Sequence, residues 1–556
     1  MNVFGMTADF YDAVNANIRA FLAPRPRSIV VRRTLSNVGS PRAANCRSGR
    51  AQRRRARSGP RGFLRRVARR FTRRRPTKVE SRTRVPSSTG VLSSLVHGGH
   101  RPSREDGDIV PAGVEAPIAT IAASLDLGAS RFATGESLGF DIRVPDLGRL
   151  LRSVLAASET RGLHVMVDLR TRLDRLTAAN VTRLVDQLRT RPTFRMFVLD
   201  GERLVENICI RPWARSGPSR WRALADSAPV AQILEGSLPG PGWPLPIDTV
   251  ASFPIDAVYT WVDANDPRWR EQFARYRDLA ALDLDRYAQS DELRYSLRSL
   301  DMFAPWVRRI HILSNCAPPS WFVASDRIRW VYHEQVIPAE YLPLFNSHAI
   351  ETFLHRVPEL AEHFLYLNDD VLVWNDVFPG SFFTADGRTI ASLAPHGAIV
   401  SWWQAMDAGT ALDWQAARVN GARLVLERYG FLPTRQHEHV AHALRQSRVA
   451  ALEAELPEAF ETVRRSRFRV ASDIPLIAFV YHHWAELHGQ AVTRFPKRLT
   501  IDTHGINQLD PARLTGIDFL CVNDSDGSAV DDRAQRAKRR LFDSRLSIPG
   551  SAEKLG

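Results

Sequence analysis

From Ile255 onward, apolar runs with strand character alternate with stretches whose apolar residues recur at helical spacing. That alternation restricts the chain to an α/β architecture with a mainly parallel sheet. The run Ile255–Val262 (IDAVYTWV) is rich in β-branched and aromatic residues, as a buried strand requires. The pattern predicts further strands at Arg309–Leu313, Ile328–Tyr332 and Phe364–Val373, and a short one over Phe519–Asp524 that ends in Asn-Asp. A helix is predicted over Asp291–Met302, with Leu293, Leu297 and Leu300 on one face. Asn346–Ser347 can cap another, running to about Arg356. A helical portion is expected from Leu412 to His488.

At 556 residues the chain exceeds one ordinary domain. Residues 111–240 read as a small accessory α/β domain, with a helix marked by Leu150, Leu151, Val154 and Leu155 and short strands at Val165–Leu169 and Phe197–Leu199. The stretch Pro239–Pro246, with four prolines and two glycines, is a linker by composition. The main α/β domain is expected over residues 250–530, followed by a flexible C-terminal tail over 531–556.

The formal charge of +16 sits in one place. Residues 1–110 hold 25 Lys/Arg against 6 Asp/Glu, whereas the remainder holds 51 against 54. The folded part is nearly neutral, so no nucleic-acid partner is expected from global charge. Fourteen arginines and no acid between Arg47 and Arg75 make residues 1–110 a disordered basic tail. Phe63, Leu64, Val67 and Phe71 recur at roughly helical spacing within it, which would suit peripheral contact of residues 47–75 with an anionic membrane surface. No run of about 18 apolar residues and no secretory signal is present, so the expected location is cytoplasmic. Cys46, Cys209, Cys316 and Cys521 form neither a disulfide framework nor a metal-knuckle spacing.

Ligands of open α/β sheets bind beyond the carboxyl ends of the strands, so the chemistry is sought there. The first strand exits into Asp263-Ala264-Asn265-Asp266, which can equally be an Asx turn. Phe364–Leu367 exits into Asn368-Asp369-Asp370. Adjacent carboxylates beside an apolar strand are costly unless paired, and a divalent cation, Mg²⁺ or Mn²⁺, is a natural partner. Phe519–Val522 exits into Asn523-Asp524, a third acidic turn. Arg294 and Arg298 lie at i, i+4 and can either grip a diphosphate or pair with nearby acids. In HEHVAH, His439 and His442 share a face at helical spacing and can supply a base or a metal ligand, unless they are ordinary surface histidines. Arg467, Arg469 and Asp473 follow in SRFRVASD, where the basic pair can neutralise a transferring phosphate.

Taken together, IDAVYTWVDANDP, DELRYSLRSLDMFAPWVRRIHILSN, LPLFNSHAIE, HFLYLNDDVLV, the stretch from about Asn420 through SRFRVASDI, and FLCVNDSD resemble the conserved regions of the Stealth family, in order. The resemblance covers roughly residues 254–526. It implies a nucleotide-sugar transferase-like fold and transfer of a hexose- or hexosamine-1-phosphate from a UDP-sugar donor to a glycan or polysaccharide acceptor, with a divalent cation, in capsule or exopolysaccharide synthesis. On that resemblance Asp263 and Asp266 would lie by the donor, with Arg294, Arg298, Asn346, Asn368 and Asn523 as further substrate contacts. Asp369, Asp370 and Asp524 would serve the metal, and His439, His442, Arg469, Asp370 and Asp473 the chemistry. Ala441 stands where the family pattern has a proline between the two histidines.

Overall fold

The computed structural model describes residues 130–134, 137–218, 220–225, 232–234 and 253–554. The basic tail, its Phe63–Phe71 segment and the Pro239–Pro246 linker lie outside them. Among the described residues, no helix is long and apolar enough to cross a membrane.

Five strands make the sheet that organises the main domain, in spatial order Ile328–Tyr332, Ile310–Ser314, Ile255–Thr260, His363–Asn368 and His442–Arg445. The first four run parallel and the last antiparallel. Residues 255–259 and 310–314 are buried along their whole length, which is why they read as unbroken apolar runs. The chain starts at the central strand, moves outward through two neighbours, then crosses back to the other side of its start. The diverging pair is therefore Ile255–Thr260 and His363–Asn368, held in register with Thr260 opposite Asn368. Such a switch point leaves a crevice beyond the carboxyl ends of the two strands.

The helix Glu292–Phe303 is buried at all but one of its positions. Ser296 Oγ donates to the carbonyl of Val371 at 2.6 Å and meets Tyr259 OH at 2.8 Å, tying the helix to two strand ends. Two stretches depart from the expected secondary structure. Phe364–Val373 is not one strand: the chain turns at Asp369-Asp370, and Val371–Val373 joins a second sheet with Phe519–Asn523 and Arg498–Asp502. Two adjacent acids cannot both continue into an apolar layer, so the ladder breaks there. HEHVAH is not helical either. His437 bridges to Leu393, its Nε2 accepts from Ser392 N–H at 3.1 Å, and His442 opens a strand.

Residues 130–234 contribute an eight-stranded, largely antiparallel sheet with the helices Leu147–Glu159 and Val181–Leu188. Leu147, Leu150, Leu151, Val154 and Leu155 give the first helix its buried stripe. Asn207 Nδ2 donates to the carbonyls of Asp301 and Met302 at 3.0 and 2.9 Å, and Arg195 pairs with Asp376.

The expected flexible tail after residue 530 is instead built in. Asp531 caps a helix over Asp532–Asp543, and Lys538 on it is fully buried between Glu292 and Asp524. Beyond it Arg545 pairs with Asp168 at 2.7 Å, and Glu553 closes on Arg298. Buried ion pairs of this kind hold a segment in place because separating them strands a charge.

Candidate functional site

At the switch point the two strand exits lie side by side. Asp263 forms an Asx turn, its Oδ1 accepting Asn265 N–H at 2.8 Å, and stays partly exposed. Asp266 caps the helix Pro267–Ala274: one oxygen accepts Trp269 N–H at 2.7 Å and the other Ala317 N–H at 2.9 Å. Each of its oxygens thus holds a backbone N–H, which shapes the turn. Asn368 ends its strand half-buried, opposite Thr260.

Asp369 and Asp370 form the acidic centre. Gln289 Nε2 donates to Asp369 Oδ2 at 2.5 Å. Burial, then the charges of Asp370 and Glu292, push the Asp369 carboxyl up to about 8. Asp370 Oδ2 takes a weak bond from the Cys521 thiol at 3.6 Å, but its Oδ1 is shielded and has no hydrogen-bond partner. His439 Nε2 faces that oxygen at 3.7 Å, too far for a direct hydrogen bond. Cys521 Sγ lies 3.4 Å from His439 Nδ1 and 3.1 Å from Asn523 Oδ1. Burial, with Asp370 next to it, pushes the Cys521 thiol well above its usual range, so it stays protonated. Asp370, His439 and Cys521 have ligating atoms within 4.8 Å of one another. An orphaned carboxylate oxygen beside a second, buried carboxyl fits a hard divalent cation, for which Asp369 and Asp370 would be the oxygen donors. The protonated thiol acts there as a hydrogen-bonding neighbour.

His442 does not join this centre. The extended backbone sends it into a stack with His437 and His482, ring centroids 3.9 to 5.2 Å apart, all three buried. His442 Nδ1 meets His482 Nε2 at 3.0 Å, while His437 spends Nδ1 on the Glu438 carbonyl and Nε2 on Ser392. Their nitrogens also fall within 4.8 Å, but His442 and His482 spend one nitrogen each on the other and His437 has none to spare.

Several expected contacts prove structural. Arg294 and Arg298 both bond Glu553, and Arg298, 6% exposed, adds the Leu546 carbonyl at 2.8 Å, so Arg298 is spent on holding the C-terminal segment while Arg294 stays partly exposed. Asp524 accepts from Lys538 (2.7 Å), Thr503 (2.7 Å), Ser528 (2.9 Å) and Gln535 (3.0 Å), which ties it to the helix Asp532–Asp543. Asn346, fully buried, caps the helix Ser347–Glu351 and donates to Asp473 Oδ2 at 3.0 Å. Asp473 also accepts from Ser466 Oγ and Val470 N–H and faces His348 Nδ1 at 3.5 Å. These groups fasten the loop that carries Arg469. Arg469 itself is half-buried, donates to Ser347 Oγ at 2.6 Å and lines a cavity of about 430 Å³.

Sequence reasoning missed Cys521, Gln289 and the histidine stack. The first was within reach: in a strand, Cys521 and Asn523 project from one face. Gln289 and His482 carry no local signal.

Three family models match the chain: Stealth protein CR1, conserved region 1, at residues 253–279; Stealth protein CR2, conserved region 2, at 286–391; and Stealth protein CR3, conserved region 3, at 438–486. An exopolysaccharide phosphotransferase of Streptomyces coelicolor is 39% identical over 298 residues, covering 51% of this chain and 50% of that protein. A capsular polysaccharide phosphotransferase of Neisseria meningitidis serogroup A is 31% identical over 328 residues, 56% of this chain and 59% of that protein. The chain spans about half the length of the curated relatives it matches. A crystal structure of a galactosyltransferase in complex with donor and acceptor sugar analogs covers 53% of this chain and 97% of its own, at 13% identity and a TM-score of 0.28, a likeness too slight to argue from.

Proposed function

Because this chain belongs to the Stealth family, we propose that it transfers a hexose- or hexosamine-1-phosphate from a UDP-sugar to a hydroxyl of a glycan, with UMP leaving. The observation that carries this reading is an unsatisfied carboxylate oxygen at the switch point with a histidine nitrogen facing it. Asp370 Oδ1 has no partner, and His439 Nε2 stands 3.7 Å from it. With the His439 ring proton on Nδ1, directed at the Cys521 sulfur, both atoms are acceptors and something that donates or is positive belongs between them.

The nucleotide lies in the crevice between the exits of Ile255–Thr260 and His363–Asn368, its diphosphate turned to Asp369-Asp370. A bound Mg²⁺ or Mn²⁺ would neutralise charge on the phosphate oxygens. His439, with a side chain 35% exposed, takes the proton of the acceptor hydroxyl on Nε2. The freed oxygen forms a bond to the sugar-proximal phosphorus. The bond from that phosphorus to the bridging oxygen breaks, and the oxygen leaves with UMP. Arg469 balances charge that spreads over the non-bridging oxygens. His439 is preferred to His442 as base because His442 is 5% exposed within the histidine stack.

The test is product analysis. The protein is incubated with UDP-sugars, a divalent cation and glycan acceptors. UMP release with phosphorus retained in the glycan supports the reading. UDP release, with none retained, would replace it by simple glycosyl transfer.

A further inference from the structure

Three of the large apolar side chains most exposed on the described surface gather at one cavity: Leu412 at 57%, Val470 at 41% and Trp414 at 40%. Apolar groups left out in one place around a concavity mark a binding site more often than chance exposure does. The cavity, about 430 Å³, falls within the range of small-molecule sites, roughly 300–1,000 Å³. Its rim is polar. Arg286 and Arg469 border it, as does Asp413 at the start of the helix Asp413–Tyr429.

The tryptophan is held for use. Trp402 meets it edge-on at 5.1 Å, and the guanidinium of Arg418 lies over the Trp414 ring at 5.4 Å while donating to the Trp414 carbonyl at 3.3 Å. Anchored in this way, the indole keeps its exposed surface on the cavity at little entropic cost.

The cavity also borders the reaction. Arg469 lines it, and Arg286 stands three residues before Gln289, whose amide holds Asp369. Three residues of chain reach at most about 10 Å. The cavity is walled by the start of the helix Asp413–Tyr429 and by the 469–473 loop, with Arg286 and His348 completing it. The crevice at the switch point is left to the nucleotide.

We infer that this cavity seats the terminal sugar ring of the acceptor glycan, with Trp414 as a stacking platform and Asp413, Arg286 and Arg469 as hydrogen-bonding partners of its hydroxyls. The C–H groups on one face of a pyranose are weakly positive and settle on the negative face of an indole. Its equatorial hydroxyls point sideways, toward a polar rim of this kind. The inference rests on the transferase reading for the word acceptor, but the binding itself can be measured without turnover.

The experiment is saturation-transfer NMR on the full chain with two probes: an array of short hexose and N-acetylhexosamine oligomers, and UMP. At least one oligomer should bind, Trp414→Ala should weaken it about tenfold or more, and Trp414→Phe should recover much of the loss. UMP should bind all three proteins alike. Circular dichroism of Trp414→Ala should match the wild type, since the ring is a surface group. Absence of any oligomer binding, or binding indifferent to Trp414→Ala, overturns the inference. So does UMP binding that falls with Trp414→Ala, which would make the platform a nucleobase site. Trp414-dependent saccharide binding without UMP release in the product assay would sink the proposed reaction and keep the cavity. Sugar-1-phosphate transfer with an acceptor KM unmoved by Trp414→Ala would do the reverse.

Discussion

The sulfur of Cys521 lies 3.4 Å from Nδ1 of His439. It is one of three polar neighbours of that thiol, with Asp370 Oδ2 and Asn523 Oδ1 as the others. A group so placed fixes the ring proton of the histidine without touching a substrate, and outer-shell partners of this sort are commonly worth 10–100-fold. Cys521→Ala should lower kcat by about that factor, with acceptor KM little changed. Steady-state kinetics with acceptor varied would check the split. The native thiol should also resist iodoacetamide near pH 8, because burial keeps it protonated.

Asp370→Asn should abolish transfer while leaving the protein folded. The unpartnered Oδ1 makes no hydrogen bond whose loss would destabilise the fold. Turnover should fall at least about a hundredfold, beyond what outer-shell changes cause. Chelation by EDTA should have the same effect on the wild type, reversed by Mg²⁺ or Mn²⁺. Normal turnover by the variant would remove Asp370 from the site.

The stack of His437, His442 and His482 should make the fold sensitive to mild acid. Burial, and then the mutual repulsion of the three with charges on His439, His483 and Arg418, holds all three below the ordinary 6.5; His437 lies at about 3. The unfolded chain takes up protons below pH 6.5 that the folded chain refuses. Stability is therefore full above pH 6.5 and declines as pH falls from there toward about 3. Denaturant midpoints measured across that range should show the slope, and His482→Gln should flatten it above the carboxylate range.

How far the site was legible depends on where its information lies. The strand Ile255–Thr260, the helix Glu292–Phe303 and the acidic turn after Leu367 each announce themselves locally, through apolar runs and a break in them. The fates of Arg294, Arg298 and Asp524 do not. Each looks like a ligand group from its neighbours in sequence, yet each is neutralised by a residue far along the chain: Glu553 lies 255 positions from Arg298, and Lys538 lies 14 from Asp524. The histidines misled for another reason. HEHVAH has helical spacing, but the backbone hydrogen bond from Glu438 N–H to the Ser392 carbonyl belongs to a bridge between Leu393 and His437 that local pattern does not encode.

Glu553→Ala should cost about 3–5 kcal/mol, the usual penalty for stranding a buried charge. Arg298, only 6% exposed, would be left with the Leu546 carbonyl on that segment. Urea unfolding would measure the loss. The exposed pair Arg275–Glu271 offers a control, where removal should change stability by less than about 1 kcal/mol.

The turn at Asp369-Asp370 is completed by Cys521, which the ribosome adds 151 residues later. Until then the strand Val371–Val373 has no partner in Phe519–Asn523, and its edge is open to pairing with other chains. A polypeptide stalled or cleaved in that interval would present an aggregation-prone edge and an incomplete acidic centre at the same moment.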